Sequence, residues 1–244
     1  MNDDYSGKPL ISQLTLDLYR APHHEFQRYM PGVNLEILSA LKAWRSVSSY
    51  SSVYLWGGRG TGKSHLLEAA VREANRLDQR AIYLPVKTIL PNLEMILCDL
   101  TEVSLVAIDD VDLCCGIHTN EEKLFHLYNE LKERGGRLLL SSTSRPDVVG
   151  FDLQDLSSRF REGLVYQLRE LPDSDKTELL VKEANIRGLD LPQSTVNFIM
   201  RNYKRDMVFL TEVLVLLDAA SLEHSRSLTI PFVREFLKGR ELEI

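Results

Sequence analysis

The chain has 244 residues, 44% of them hydrophobic and 26% charged, enough for one large domain or for a domain with a smaller companion. A formal net charge of −6 argues against non-specific attraction to nucleic acid; no apolar run is long enough to cross a bilayer, and the chain does not open like a signal peptide. Three cysteines, with Cys114 next to Cys115 and Cys98 apart, offer no metal-ligand spacing and no disulfide framework, as expected of reduced thiols in the cytoplasm.

Residues 1–22 begin polar and carry little that could build a core, so they read as an extended tail. Within it, Gln13-Leu14-Thr15-Leu16-Asp17-Leu18 alternates apolar and polar side chains. Glu36 to Val47 then places Ile37, Leu38, Leu41 and Trp44 at helical spacing. Ser52 to Trp56 reads as a strand, His65 to Leu77 as a helix with Leu66, Leu67, Ala70, Val71 and Ala74 on one face, and Ala81 to Leu84 as a second strand. Leu105 to Ile108 forms a third strand that ends in Asp109-Asp110. A helix from Asn120 to Arg134 is stopped by Gly135-Gly136, and Arg137 to Leu140 and Val165 to Leu168 supply two more strands. Strands alternating with helices predict an α/β fold with a parallel sheet covered on both faces. After Pro172 only helical signals remain: a capped helix from Asp173 or Ser174 to Arg187, one from Pro192 to Asn202, a third marked by Leu210, Val213, Leu214 and Leu217, and a fourth starting at Thr229 with Pro231. The expected organisation is therefore a tail over 1–22, an α/β core over 23–171 and a small all-helical lid over 172–244.

Between the first strand and its helix lies Gly57-Gly58-Arg59-Gly60-Thr61-Gly62-Lys63-Ser64, a complete G-x-x-x-x-G-K-[ST] phosphate loop. Glycines let backbone N–H groups turn inward around a diphosphate, Lys63 reaches the outer phosphates, and the Ser64 hydroxyl becomes a ligand of Mg²⁺. The helix that begins at His65 adds its positive end. Asp109 stands at a strand's C-terminal end, where such a site needs its Mg²⁺-orienting acid, and Asp110 beside it could orient a water. Three further features follow in order. Ser141-Ser142-Thr143-Ser144 ends a strand, Asp155-Leu156-Ser157-Ser158-Arg159-Phe160 carries an arginine on a short helical segment, and Lys204-Arg205-Asp206 precedes the third lid helix.

As an ordered set these motifs resemble the AAA+ ATPases, and within them the DnaA-like branch. The resemblance implies a P-loop AAA+ core with a helical lid, bound ADP or ATP, and Mg²⁺. It casts Thr143 (or Ser142) as the first sensor, Arg205 as the second, and Arg159 as an arginine finger acting in trans on a partner's nucleotide. An acidic residue is frequent at the first sensor in this family, and Thr143 departs from that. A DNA-reading helix-turn-helix domain is not expected after the lid. The tail resembles the Gln-Leu-x-Leu-x-Leu peptide of sliding-clamp partners, with Gln13, Leu14, Leu16 and Leu18 as its contacts. Leu228-Thr229-Ile230-Pro231-Phe232-Val233 is typical of the DnaA-inactivating members of the branch.

The resemblance thus implies a cytoplasmic bacterial regulator of replication initiation. Its partners would be DnaA and the β-subunit sliding clamp, with DNA and the nucleoid reached only through the clamp and no membrane involved. It would activate a partner's ATPase and have at most weak hydrolysis of its own, with homodimer or higher self-association left open. The alternative is a self-assembling ATPase such as a helicase loader.

Overall fold

The computed structural model describes residues 24–47, 51–98, 100, 102–224 and 228–238. The clamp-peptide residues Gln13, Leu14, Leu16 and Leu18 lie outside them. Contacts divide the described chain into two units, one running to Gly58 and from Gly62 to Arg169, the other comprising Arg59–Thr61 and the chain from Glu170 onward.

The first unit is built on five strands, β1 (Ser52–Trp56), β2 (Ala81–Pro85), β3 (Leu105–Asp109), β4 (Arg137–Ser142) and β5 (Leu164–Gln167), in the order β2-β3-β4-β1-β5 with every pairing parallel. The crossovers are helical: α1 (Leu35–Val47) leads into β1, α2 (Lys63–Arg76) joins β1 to β2, and the short α3 (Val86–Ile89) and α4 (Leu93–Leu97) lie between β2 and β3. Then α5 (His118–Glu133) joins β3 to β4 and α6 (Gln154–Glu162) joins β4 to β5. Alternation along the strands explains why both faces are covered. Tyr54, Val106, Ile108, Leu138 and Leu140 face one apolar layer, shared with α3 to α6. Val53, Leu55, Leu105, Ala107 and Leu139 face the other, shared with α1 and α2. The sequence had offered no element between β2 and β3. Pro91 interrupts that stretch, yet Val86, Ile89, Leu93, Ile96 and Leu97 are all buried, so two short helices around a 3-10 turn at Leu90–Asn92 do the work of one.

The second unit packs α7 (Asp173–Ile186), α8 (Gln193–Asn202), α9 (Met207–His224) and α10 (Ile230–Lys238) around their own core. Leu210, Val213, Leu214 and Leu217, the heptad-like set of the third lid helix, are all buried there, with Leu180, Val196, Ile199 and Val233. Thr195 donates its hydroxyl to the Leu228 carbonyl at 2.9 Å, a buried bond that fixes the approach to α10.

Among the described residues no helix is long and apolar enough to cross a membrane.

Candidate nucleotide site

Parallel topology gathers the C-terminal ends of β1, β3 and β4 at one edge of the sheet, where this class of fold places its ligands. β1 delivers the chain into the phosphate loop, and the Gly57 N–H donates to the Ser142 carbonyl at 3.3 Å, tying the start of the loop to the end of β4. Gly60 and Gly62 have φ of 77° and 90°, a region that L side chains rarely enter. Space also forbids a side chain at Gly62, because a Cβ there would stand 2.7 Å from the Tyr29 ring. Arg59 is exposed at the tip and Thr61 is buried. The 14-residue α2 starts at Lys63, so the N–H groups of its first turn, at Lys63, Ser64 and His65, have no helical acceptor to use.

Lys63 is only 7% exposed. Its ammonium donates to the loop's own carbonyls, Gly57 at 2.8 Å and Gly58 at 2.9 Å. Burial pulls its pKa down, and the carboxylates of Asp110, Asp109 and Asp112 work against that pull. A desolvated cation at the start of a helix whose first-turn N–H groups lack helical acceptors is the chemistry a polyphosphate needs. His65 is fixed in the wall of the site: its Nε2 lies 2.9 Å from the Glu25 carbonyl, and its ring packs on His24 and, edge-on, on Tyr29.

Asp109, the last residue of β3, is buried at 4% exposure. Tyr83 donates its phenol hydroxyl to Oδ2 at 2.6 Å, and Ser141 donates its hydroxyl to Oδ1. The same Ser141 oxygen accepts the Asp110 N–H at 2.9 Å. Tyr83, Asp109 and Ser141 thus form one polar chain across β2, β3 and β4. Asp110 takes a left-handed backbone, φ 55°, and its carboxyl is pushed above the usual range, first by burial and then by Asp109 and Asp112. Hydroxyl and carboxylate oxygens at Ser64 and Asp109 suit a hard divalent cation.

The polar end of β4 divides its work residue by residue. Ser141 reaches the Asp109–Asp110 pair. Ser142 accepts the Ser144 N–H at 3.2 Å, and the Tyr54 hydroxyl donates to the Ser144 carbonyl at 3.2 Å. Thr143 points at Asp112, through its hydroxyl at 2.5 Å and its N–H at 3.2 Å. The sequence singled out Ser142 and Thr143 and passed over Ser141, Tyr83 and Asp112. Strand alternation could have separated Ser141 from Ser142, but nothing in an apolar run such as Ala81-Ile82-Tyr83-Leu84 marks its tyrosine as part of a site.

Two predicted residues have other neighbours. Arg159, on the last turn of α6, pairs with Glu162 at 2.6 Å and lies over the Phe125 ring, with its side chain 36% exposed. Glu162 also takes Lys132 at 2.6 Å and the Tyr128 hydroxyl at 3.2 Å. Arg205 belongs to the second unit, where it pairs with Asp173 at 2.6 Å between exposed side chains.

The turn over Gly32–Asn34 is anchored as firmly as a strand. Asn34 donates to the Arg169 carbonyl at 2.8 Å and accepts the Arg169 N–H at 2.9 Å, so Pro31-Gly32-Val33 is held beside the end of β5.

A five-stranded parallel sheet with a phosphate loop after β1, an acid at the end of β3 and an all-helical unit following in the chain defines an AAA+ P-loop protein. The family model of the bacterial DnaA ATPase domain matches residues 22–167, and that of the Hda lid domain matches residues 173–237. The chain belongs to the bacterial DnaA ATPase-domain family, as a Hda/DnaA-like member. Solved structures agree on the fold. Domain III of the DnaA replication initiation protein from Thermotoga maritima is 24% identical, with 90% of this chain and 97% of that one covered and a TM-score of 0.79. The AMPPCP-bound DnaA of Aquifex aeolicus is 23% identical at a TM-score of 0.69, over 83% of this chain and 67% of that one. The RuvB Holliday junction branch migration motor of Thermotoga maritima, 15% identical, reaches 0.63 over 85% of this chain and 68% of its own.

Proposed function

We propose that the chain is an adenine-nucleotide-binding regulator of replication initiation that docks on the sliding clamp and stimulates hydrolysis of ATP bound to DnaA. What carries the reading is a DnaA-type ATPase core joined to an Hda-type lid, with an arginine presented at the exposed end of α6. The division into a tail (1–22), a core (23–171) and a lid (172–244) is part of the same reading.

The loop over residues 57–64 would hold ADP or ATP, with the first-turn N–H groups of α2 and Lys63 as the phosphate partners; Lys63 would give up the carbonyls of Gly57 and Gly58 to reach them. Ser64 and Asp109 are the residues that would hold Mg²⁺, which supplies charge neutralisation on the phosphates when bound. The Pro31-Gly32-Val33 turn would border the base, and Arg205 would be the second sensor. Asp110 and Thr143 complete the acidic and polar wall, but the loop's main task is to hold a ligand rather than to turn it over.

Catalysis is exerted on the partner. Arg159 leaves Glu162 and donates its guanidinium N–H groups to the terminal phosphate held by DnaA, where negative charge develops as the bond to the leaving phosphate breaks. A finger of this kind is worth about 10³–10⁵ in rate. Glu162 loses little by the exchange, since Lys132 and Tyr128 still satisfy it. DnaA is left with ADP, and re-initiation is prevented. Gln13, Leu14, Leu16 and Leu18 bring the finger to its target by docking on a DNA-loaded clamp, an extended peptide filling a groove with alternate side chains.

The test is single-turnover hydrolysis of labelled ATP preloaded on DnaA, with clamp on DNA. Adding the protein is expected to accelerate hydrolysis, and replacing Gln13, Leu14 and Leu18 by alanine to abolish the gain without lowering the melting temperature. Acceleration that needs neither the clamp nor the tail would overturn the docking mechanism.

A further inference from the structure

We infer that Lys132 is a positioning residue for the Arg159 finger: it keeps Glu162 neutralised, so that the guanidinium can leave that carboxylate for a partner's terminal phosphate. The inference rests on the trans-acting reading of Arg159 above and specifies how the surface around the finger is prepared for it.

The cluster is assembled from two helices. Tyr128 and Lys132 stand one turn apart on α5, and Arg159 and Glu162 one turn apart at the end of α6, so each pair shares a face of its helix. The Glu162 carboxylate is divided between the two cations. Oε1 accepts from Arg159 at 2.6 Å, while Oε2 accepts from Lys132 at 2.6 Å and from the Tyr128 hydroxyl at 3.2 Å. Lys132 is thus held on the oxygen that Arg159 does not use, beside a tyrosine that is almost fully buried and cannot swing away. The Glu162 carboxyl lies below the ordinary carboxylate range, drawn down first by Lys132 and, with burial opposing, then by Arg159. Arg161, the other arginine on this turn of α6, bonds the Ser158 hydroxyl at 3.3 Å instead. In water an exposed pair of this kind is worth little. Against a second protein the cluster loses water, and a carboxylate beside a triphosphate then carries weight. Without Lys132, Glu162 would keep Arg159 as its one cation. Once the guanidinium left, it would face the phosphate with unbalanced negative charge just where more is developing. Lys132 removes both obstacles, because its ammonium stays on Oε2 while Oε1 is vacated.

The experiment is single-turnover hydrolysis of labelled ATP preloaded on DnaA, with clamp on DNA and increasing amounts of the full chain. Maximal rate and half-saturating concentration are then read separately. Lys132→Met is expected to lower the maximal rate about tenfold or more, with the half-saturating concentration within about threefold of wild type. Lys132→Arg keeps the charge and should retain most of the rate. Glu162→Gln removes the charge that Lys132 answers and should match or exceed wild type. Lys132→Met combined with Glu162→Gln is expected to recover to the Glu162→Gln rate. A lysine needed only for folding, or one that itself touches the partner, would give no such rescue. Undiminished stimulation by Lys132→Met, a defect that persists in the double variant, or a Glu162→Gln chain as impaired as Lys132→Met would overturn this inference alone. Stimulation that survives Arg159→Ala would overturn the finger itself, and this inference with it.

Discussion

Lys63 illustrates how much a single side chain can be asked to do by its surroundings. It is buried, it is drawn down in pKa by that burial, and it spends its protons on two backbone carbonyls that a phosphate would replace. Replacing it by alanine removes the one buried ammonium of the loop. The expected outcome is a loss of roughly a hundredfold in ADP affinity by calorimetry, the equivalent of about 2.7 kcal/mol for charge-assisted bonds, with folding retained. Unchanged affinity would remove the phosphate loop from the account. At this scale the sequence was most informative where backbone geometry forces the residue type. Gly62 and Lys63 are recognisable because few other residues could occupy a left-handed bend 2.7 Å from a tyrosine ring or reach a phosphate from that bend. Tyr83 and Ser141 are invisible because tyrosine in an apolar strand and serine at a strand end are ordinary packing residues, and only the parallel register of β2, β3 and β4 brings them to Asp109.

The elements that present Arg159 are held by a residue that no motif flags. Glu121, in the first turn of α5, has no exposed surface. Its carboxylate accepts the N–H groups of Gly116 at 2.9 Å, Asp152 at 3.2 Å and Leu153 at 2.7 Å. It therefore pins the turn before α5 to the residues that start α6, and Arg159 lies on the last turn of α6. Glu121→Ala leaves those N–H groups without their acceptor, and a loss of roughly 2–3 kcal/mol in urea unfolding is expected. Stimulation of DnaA should also fall, because α6 loses its fixed start. A variant as stable as wild type would show that α6 is positioned by its packing alone. Helix boundaries show the same division between local and distant causes. The strands and the longer helices were readable from periodicity and from Gly135-Gly136. The short helices α3 and α4 were not, because their burial comes from packing against α5 and the sheet rather than from a repeating pattern.

On the scale of the molecule, the two units have separate cores, and their composition announces both: alternating strands and helices before Pro172, helices alone after it. What the sequence alone could not supply is the setting of each arginine. Arg205 pairs with Asp173 inside the second unit, and Arg159 stands at the surface of the first, paired with Glu162 rather than buried. An arginine with that exposure and a replaceable partner is suited to a second protein's phosphate. Ground-state binding should lose little without it, since a finger acts where charge develops. The decisive measurement is single-turnover hydrolysis of ATP preloaded on DnaA, with DNA-loaded clamp and either the wild-type chain or Arg159→Ala, after both are checked for equal melting temperature, ADP affinity and clamp binding. The trans-finger mechanism predicts that Arg159→Ala loses the stimulation almost entirely and that Arg159→Lys restores little of it, because a single ammonium lacks the planar donor fork. Equal rates for wild type and Arg159→Ala would contradict it.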